Sequence, residues 1–273
     1  MFNPAAWTDG KTIWLLYRAE DKTGIGQWNG TSRIGLATSR DGLDFQRKAE
    51  PVLEPTEAWE IPGGVEDPRL VKVEDLFYLT YTAYDGRTAR LALASSKDLR
   101  RWKKHGLVFP DRGWTKAGAI LPTPINGKYW MYFGDSDIRA ATSTDLLHWN
   151  VIEEPVLRHR AGTGKFDSKL VEPGPPPLLT VQGILLLFNG ANDENVYASG
   201  QALFDRNDPT KLLARTDSPF LQPTANLERD GQVPRVVFIE GLVRFKKRWF
   251  LYYGMADSRI GVALYHPEST GER

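Results

Sequence analysis

The chain has no cysteine and only four histidines, and these are scattered. That excludes a disulfide framework and a thiolate zinc site, and no histidines stand at metal-ligand spacing, so neither a metal nor a cofactor is expected. Charge of one sign is missing as well. Thirty-five Lys and Arg face 34 Asp and Glu, a formal net charge of +1, so no overall field draws the chain to nucleic acid or to an anionic membrane. Long apolar runs are absent: no stretch reaches the roughly 18 apolar residues of a membrane span. The N-terminus, Met1-Phe2-Asn3-Pro4-Ala5-Ala6-Trp7, lacks the basic region and apolar run of an export leader. The expectation is a cytoplasmic, water-soluble protein that binds a small neutral ligand, with a leader removed ahead of Met1 as the alternative. What the chain does have is 273 residues, 41% hydrophobic and 11% aromatic, enough to bury a large core.

Its organisation is repetitive. Ser39-Arg40-Asp41-Gly42-Leu43-Asp44-Phe45 is echoed by Ser96-Lys97-Asp98-Leu99-Arg100-Arg101-Trp102 and by Ser143-Thr144-Asp145-Leu146-Leu147-His148-Trp149. Serine, aspartate and aromatic keep one spacing. Each copy follows an apolar strand, and an aromatic-rich strand lies upstream: Ile13–Tyr17, Phe77–Tyr81 and Tyr129–Phe133. Two further units run from Gly183 to Arg215 and from Gly241 to Ala263. Repeated strand units of about 40 to 50 residues without helical periodicity between them predict an all-β, five-bladed β-propeller, with residues 1–273 as one catalytic domain. A β-sandwich with accidental similarity is the competing reading. The Ser and Asp of each copy are expected to cap a turn through backbone N–H groups, with the following aromatic packed between blades. Pro175-Pro176-Pro177 reads as a stiff blade entry.

Polar residues that interrupt apolar strands are the candidates for function, because a desolvated charge is costly unless paired or used. Taking the aromatic-rich strands as the inner ones, Arg18, Asp85, Asp135, Asp137, Asn189 and Asp257 each end or closely follow one, an arrangement that would bring them into a single funnel. Separate turn caps are the structural alternative. A second set precedes each inner strand: Glu66 with Asp67, Lys116, Glu172 and Glu240. Gly64-Val65-Glu66-Asp67-Pro68-Arg69-Leu70 puts two acids and an arginine at a strand mouth, where a carboxylate can face a pocket, although a strand-start ion pair with Arg69 explains the same residues. Glu172 and Glu240 are flanked by apolar or small residues, so partial burial would raise their pKa. Carboxyls around a pocket rich in Trp and Tyr suit glycosidic chemistry, in which one acid protonates the leaving oxygen and another activates water.

At these residues the chain resembles glycoside hydrolase family 130, five-bladed propeller enzymes acting on β-mannosides. The resemblance is carried by Phe2–Ala6, Leu15–Glu20, Ser32–Gly35, Gly64–Leu70, Tyr81–Asp85, Gly174–Pro177 and Tyr252–Asp257, nearly the whole length, and it would allow residues ahead of Phe2. It implies that Asp67 is the general acid, passing its proton through a sugar hydroxyl, and that Arg18, Arg33, Arg69, Asp85 and Asp257 line the mannose subsite. The family holds phosphorylases and hydrolases. Its phosphorylases typically carry a His-Arg pair where this chain has Phe133-Gly134, a lysine where it has Leu170, and a small residue where it has Glu172. Two lost cations and a gained carboxylate weaken the case for a phosphate dianion, although Lys116, Arg139 and Lys169 remain nearby.

The resulting expectation is an inverting, exo-acting hydrolase of β-mannosides, with short β-1,2-linked manno-oligosaccharides as substrates. Asp67 is the acid and Glu172 or Glu240, unranked, the base, standing about 6.5–9.5 Å from the acid as inversion requires. Glu66, Lys116 and Asp135 join the substrate-binding set. The alternatives are a phosphate-dependent β-mannoside phosphorylase and a carbohydrate-binding propeller without turnover. A homo-oligomer is compatible with the sequence.

Overall fold

The computed structural model describes residues 1–21 and 30–267. Among the described residues, twenty strands build five consecutive antiparallel units around one axis. Blade 1 holds β1 (Phe2–Thr8), β2 (Ile13–Glu20), β3 (Ser32–Ser39) and the short β4 (Gln46–Arg47). Blade 2 holds β5 (Gly64–Val73), β6 (Leu76–Tyr84), β7 (Ala89–Ser96) and β8 (Lys103–Leu107), and blade 3 holds β9 (Ala119–Ile125), β10 (Lys128–Phe133), β11 (Ile138–Ser143) and β12 (Asn150–Leu157). In blade 4, β13 (Leu170–Pro173) and β14 (Leu178–Leu179) share one partner, β15 (Ile184–Ala191), which is followed by β16 (Tyr197–Phe204) and β17 (Leu212–Arg215). Blade 5 contains β18 (Val237–Phe245), β19 (Arg248–Met255) and β20 (Arg259–Tyr265). The expected five-bladed propeller is the observed fold.

The core lies between blades. Five apolar clusters join neighbours in turn, for example Leu16 and Ile34 with Leu79 and Ala92 between blades 1 and 2, and Leu15 with Phe245 and Tyr252 between blades 1 and 5. A strand whose two faces both meet other blades is apolar on both, which is why β2, β6 and β10 read as continuous aromatic runs.

Two details of the sequence reading change. The innermost strands are the first of each unit, since β1 packs against β18 and β5, and β5 against β9; the aromatic-rich strands stand second. The proline run does not open a blade either. It splits the inner strand of blade 4, Pro175–Pro177 lying between β13 and β14, because proline cannot donate to a ladder.

The Ser-Asp-aromatic turns behave as read. In blade 2, Ser96 Oγ accepts from the N–H of Asp98 (3.1 Å) and Leu99 (3.0 Å), and Asp98 Oδ1 accepts from Arg100 and Arg101 (both 2.9 Å). Blades 1 and 3 repeat the pattern. The residue after each aspartate takes a positive φ: Gly42, Leu99 and Leu146. Glycine does so without strain; the two leucines are held there by burial. Replacing Ser96 by Ala strands two N–H groups, and should destabilise the fold by about 1–3 kcal/mol in denaturant unfolding while leaving the chemistry of the central site intact; an unchanged midpoint would show that the turn is not held this way.

Candidate active site

At one end of the axis the inner strands stop being regular. Pairing of β1 with β2 shifts between Phe2 and Pro4, pairing of β5 with β6 shifts between Glu66 and Arg69, and pairing of β18 with β19 shifts between Ile239 and Gly241. Each irregularity frees one polar residue: Asn3, Asp67 and Glu240. Asn3 and Asp67 both adopt positive φ, 49° and 47°, a conformation unfavourable for most side chains. A bulge re-aims a side chain that the strand's alternation would send elsewhere, and here it turns these groups toward the axis. Gly64, with φ 112°, lets β5 close on β3: a Cβ there would stand 2.2 Å from the Ser32 carbonyl oxygen.

Asn3 and Asp67, so aimed, face a cavity of about 370 Å³, while Glu240 stays behind its wall. Arg18, buried at the end of β2, is its organiser. Its Nε donates to Ser32 Oγ (2.9 Å), while its terminal nitrogens reach Glu66 Oε1 (2.8 Å), Asp67 Oδ1 (3.2 Å) and Glu20 Oε2 (3.2 Å). Asp67 Oδ1 also accepts from Asn3 Nδ2 (2.9 Å), and Lys116 Nζ stands 3.9 Å from Asp67 Oδ2. Glu172, on β13, is 3% exposed and lines the cavity; its Oε2 is buried without a hydrogen-bond partner among the described residues. Asp257 lines the wall beyond Arg18, and Tyr84, Trp114, Tyr197 and Phe238 add aromatic faces.

Two of the expected residues lie behind this surface. Arg69 donates to the carbonyls of Pro173 (2.7 Å) and Gly174 (3.0 Å), so that it ties β5 to the strand carrying Glu172. Its Nη1 stands 3.2 Å from Glu240 Oε1. Glu240 is 0% exposed, neither oxygen makes a hydrogen bond among the described residues, and it does not line the cavity. This ranks Glu172 ahead of Glu240 for contact with a ligand.

Burial dominates the proton affinities. It pushes the Glu172 carboxyl up to about 7 against the pull of Lys116, and Asp257 up to about 6 against that of Arg18. Glu240 is raised well above the ordinary carboxylate range for the same reason. In the adjacent pair, burial raises Glu66. Burial would raise Asp67 too, but Arg18, Lys116, the Asn3 amide and Arg69 outweigh it and hold Asp67 down at about 2. Lys116 is held protonated despite burial, chiefly by Glu172 and Asp67.

Three expected site residues are elsewhere. Asp85 caps a turn, accepting from the N–H of Arg87 (2.9 Å) and Thr88 (2.7 Å) and pairing with Arg90. Arg33 pairs with Asp21 (2.7 Å) and Glu54 (3.3 Å) and lines a separate outer cleft. Asp135 does not line the cavity: it accepts the indole N–H of Trp114, which does, and its charge raises Glu172 and Lys116. Asn189 is also not a site group: it clamps Ile239 with two bonds, joining blade 4 to blade 5. The polar strand ends therefore do not all converge. Asn3, Trp114, Tyr197 and Phe238 were missed, being uncharged; the Asn-Pro pair, with an asparagine that tolerates positive φ, was the one available signal.

The family model for glycoside hydrolase family 130, described as beta-1,4-mannooligosaccharide phosphorylase, matches residues 1–269. A 1,2-beta-oligomannan phosphorylase from Thermoanaerobacter sp. (strain X514) is 37% identical over 97% of this chain and 89% of its own length. All four curated relatives that match are named phosphorylases. Among solved structures, a glycosyl hydrolase from Bacteroides ovatus is 44% identical with a TM-score of 0.94, covering 98% of this chain and 84% of that one. Another, described with the statement that the GH130 family of mannoside phosphorylases contains glycoside hydrolases that target beta-1,2 mannosidic linkages in Candida mannan, is 43% identical with a TM-score of 0.93 over the same shares.

The raised acids have a thermodynamic consequence. The folded protein holds protons on Glu172 and Asp257 that the unfolded chain, with ordinary values of 4.5 and 3.8, has already released, so their contribution is complete below those values and is lost as pH rises through about 6 to 7. Asp67 works oppositely, its contribution being lost only as pH falls from 3.8 toward about 2. The melting temperature should therefore fall between pH 5 and 7.5, and Glu172→Gln should flatten that fall; calorimetry showing identical slopes in the two proteins would contradict the assignment.

Proposed function

The chain belongs to glycoside hydrolase family 130, and on that premise we propose that it removes the terminal sugar of β-1,2-linked manno-oligosaccharides by direct displacement with inversion, water being the nucleophile. The observation that carries the choice of water is that both cations of the cavity wall are already engaged by acids. Glu66, Asp67, Glu172 and Asp257 line it, against Arg18 and Lys116. Arg18 is already shared by three carboxylates, and Lys116 lies among Glu172, Asp67, Asp135 and Glu66. A phosphate dianion would need charge-assisted donors that these acids already occupy. A neutral sugar needs none.

In this reading the terminal mannosyl residue sits among the carboxyls, and a cavity near the lower end of the ligand-site range suits one chain end rather than a chain passing through. Glu172 accepts a proton from the attacking water while the anomeric carbon–oxygen bond breaks, and the departing oxygen receives a proton from the Glu66–Asp67 side. Asp67 is ionised as the site stands, so simple donation from it does not fit. The pair nevertheless keeps a proton at mildly acidic pH, since burial raises Glu66 and the two carboxyls titrate as a unit. Transfer through Asp67 and a sugar hydroxyl is consistent with that inventory. Glu240 supports the site from behind through Arg69.

Phosphorolysis is the second reading, favoured by the names of the curated relatives. Incubating the protein with β-1,2-mannobiose with and without phosphate separates the two: release of α-mannose at an unchanged rate supports hydrolysis, and strict phosphate dependence with mannose 1-phosphate as product rejects it. Asp67→Asn and Glu172→Gln should each lower kcat by about 10²–10⁴-fold. Glu240→Gln should cost less activity than Glu172→Gln; the reverse order would move the base to Glu240.

A further inference from the structure

The outer wall of the central cavity faces two ways. Trp114 and Lys116 line the cavity, and the other side of the same segment lines a second cleft of about 460 Å³, closed by Phe133–Gly134, Asp135, Asp137 and Arg139. The Gly134 N–H donates to the Lys116 carbonyl at 3.0 Å, fixing the ridge between the two spaces. Trp114 is 56% exposed, whereas every other described tryptophan is buried or half-buried. Its indole N–H is bonded to Asp135. The ring is thus held in one orientation while much of it remains in contact with water.

An anchored, exposed indole face is a surface for the apolar C–H face of a pyranose, apolar on one side with its polar edge already satisfied. Beyond it the cleft offers planar hydrogen-bonding groups of both signs. Asp137 is steadied by the His159 ring (2.8 Å) and by Arg158 (3.6 Å), and Arg139 is tethered through Nε to the Glu153 carbonyl (3.1 Å). A carboxylate accepts from hydroxyls and a guanidinium donates to them. With Arg112 the cleft sets two guanidiniums against two carboxylates, a mixture that favours no ion of either sign and suits a neutral polyhydroxyl chain.

We propose that this cleft binds the leaving-group side of an oligosaccharide, taking sugars beyond the two joined by the broken bond, with Trp114 as the stacking platform between cavity and cleft. The inference rests on the reading that the central cavity takes the terminal mannosyl residue. Remote contacts of this kind raise the specificity constant for longer chains, so the preferred substrate has three or more sugars.

The test compares kcat/KM for β-1,2-linked mannobiose, mannotriose and mannotetraose, in whichever of water or phosphate supports turnover, for the wild type, Trp114→Ala and Trp114→Phe. Titration calorimetry of the same sugars on Asp67→Asn reads binding without turnover. The wild type should favour the trisaccharide over the disaccharide by about tenfold, the scale of one well-placed aromatic contact. Trp114→Ala should bring the ratio close to one and Trp114→Phe should keep part of it. A wild-type ratio near one, or a ratio that Trp114→Ala leaves untouched, overturns the cleft while leaving cleavage in place. Failure of Asp67→Asn to bind any of the three sugars overturns the reading of the cavity, and this inference with it.

Discussion

One guanidinium keeps three carboxylates out of water at once. Arg18 reaches Glu20, Glu66 and Asp67 from a buried position at the end of β2, and the other polar features of the axis are arranged around that fact. A buried charge left without its partner costs about 3–5 kcal/mol, so Glu66 and Asp67 can face a cavity only where such a cation reaches both. Arg69 does the same work one layer down, bonding the carbonyls of Pro173 and Gly174 and facing Glu240. Two arginines, from blades 1 and 2, thereby hold acidic strands from blades 1, 2, 4 and 5 in one arrangement. The apolar clusters cannot do this, since each joins only two neighbouring blades.

The second constraint is in the backbone. Strict alternation in an inner strand would send successive side chains to opposite faces. The register shifts at Asn3, Asp67 and Glu240 break that alternation at the same end of three inner strands. Left-handed φ at Asn3 and Asp67 is unfavourable locally and is offset by the hydrogen bond between their own side chains. Local strain and ion pairing are therefore coupled: the bulge delivers the carboxylate to Arg18, and Arg18 with Asn3 keeps the bulge from relaxing.

These two constraints explain what the amino-acid sequence could reveal. The blades were legible because the Ser-Asp-aromatic turn is a local hydrogen-bonding device that must recur wherever the same corner recurs. Which strand is innermost was not, because both of the first two strands in a unit are apolar and only packing distinguishes them. Arg18, Glu66, Asp67, Lys116, Glu172 and Asp257 stood out as charges in apolar surroundings, and the cavity wall contains them. The same signal picked out Asp85 and Asn189 for other reasons, a turn and an interblade clamp. Periodicity cannot separate these causes, since each satisfies a polar group near a strand end. Trp114 and Tyr197 gave no signal, because an aromatic residue in an aromatic-rich chain is not anomalous until its exposure is known.

The formal charge of the wall overstates the negative charge a ligand meets. Burial keeps protons on Glu66, Glu172 and Asp257 over part of the range up to about neutral pH, so Asp67 is the acid that stays firmly ionised, beside Arg18 and Lys116. Burial thus lowers the negative charge that a ligand meets in the cavity, which suits a neutral sugar. The charges of an incoming phosphate would disfavour ionisation of the neighbouring acids and keep Glu172 protonated. On the proposed reading, a protonated Glu172 can donate to a phosphate oxygen but cannot accept a proton from water, so its protonation would bias the site between the two nucleophiles.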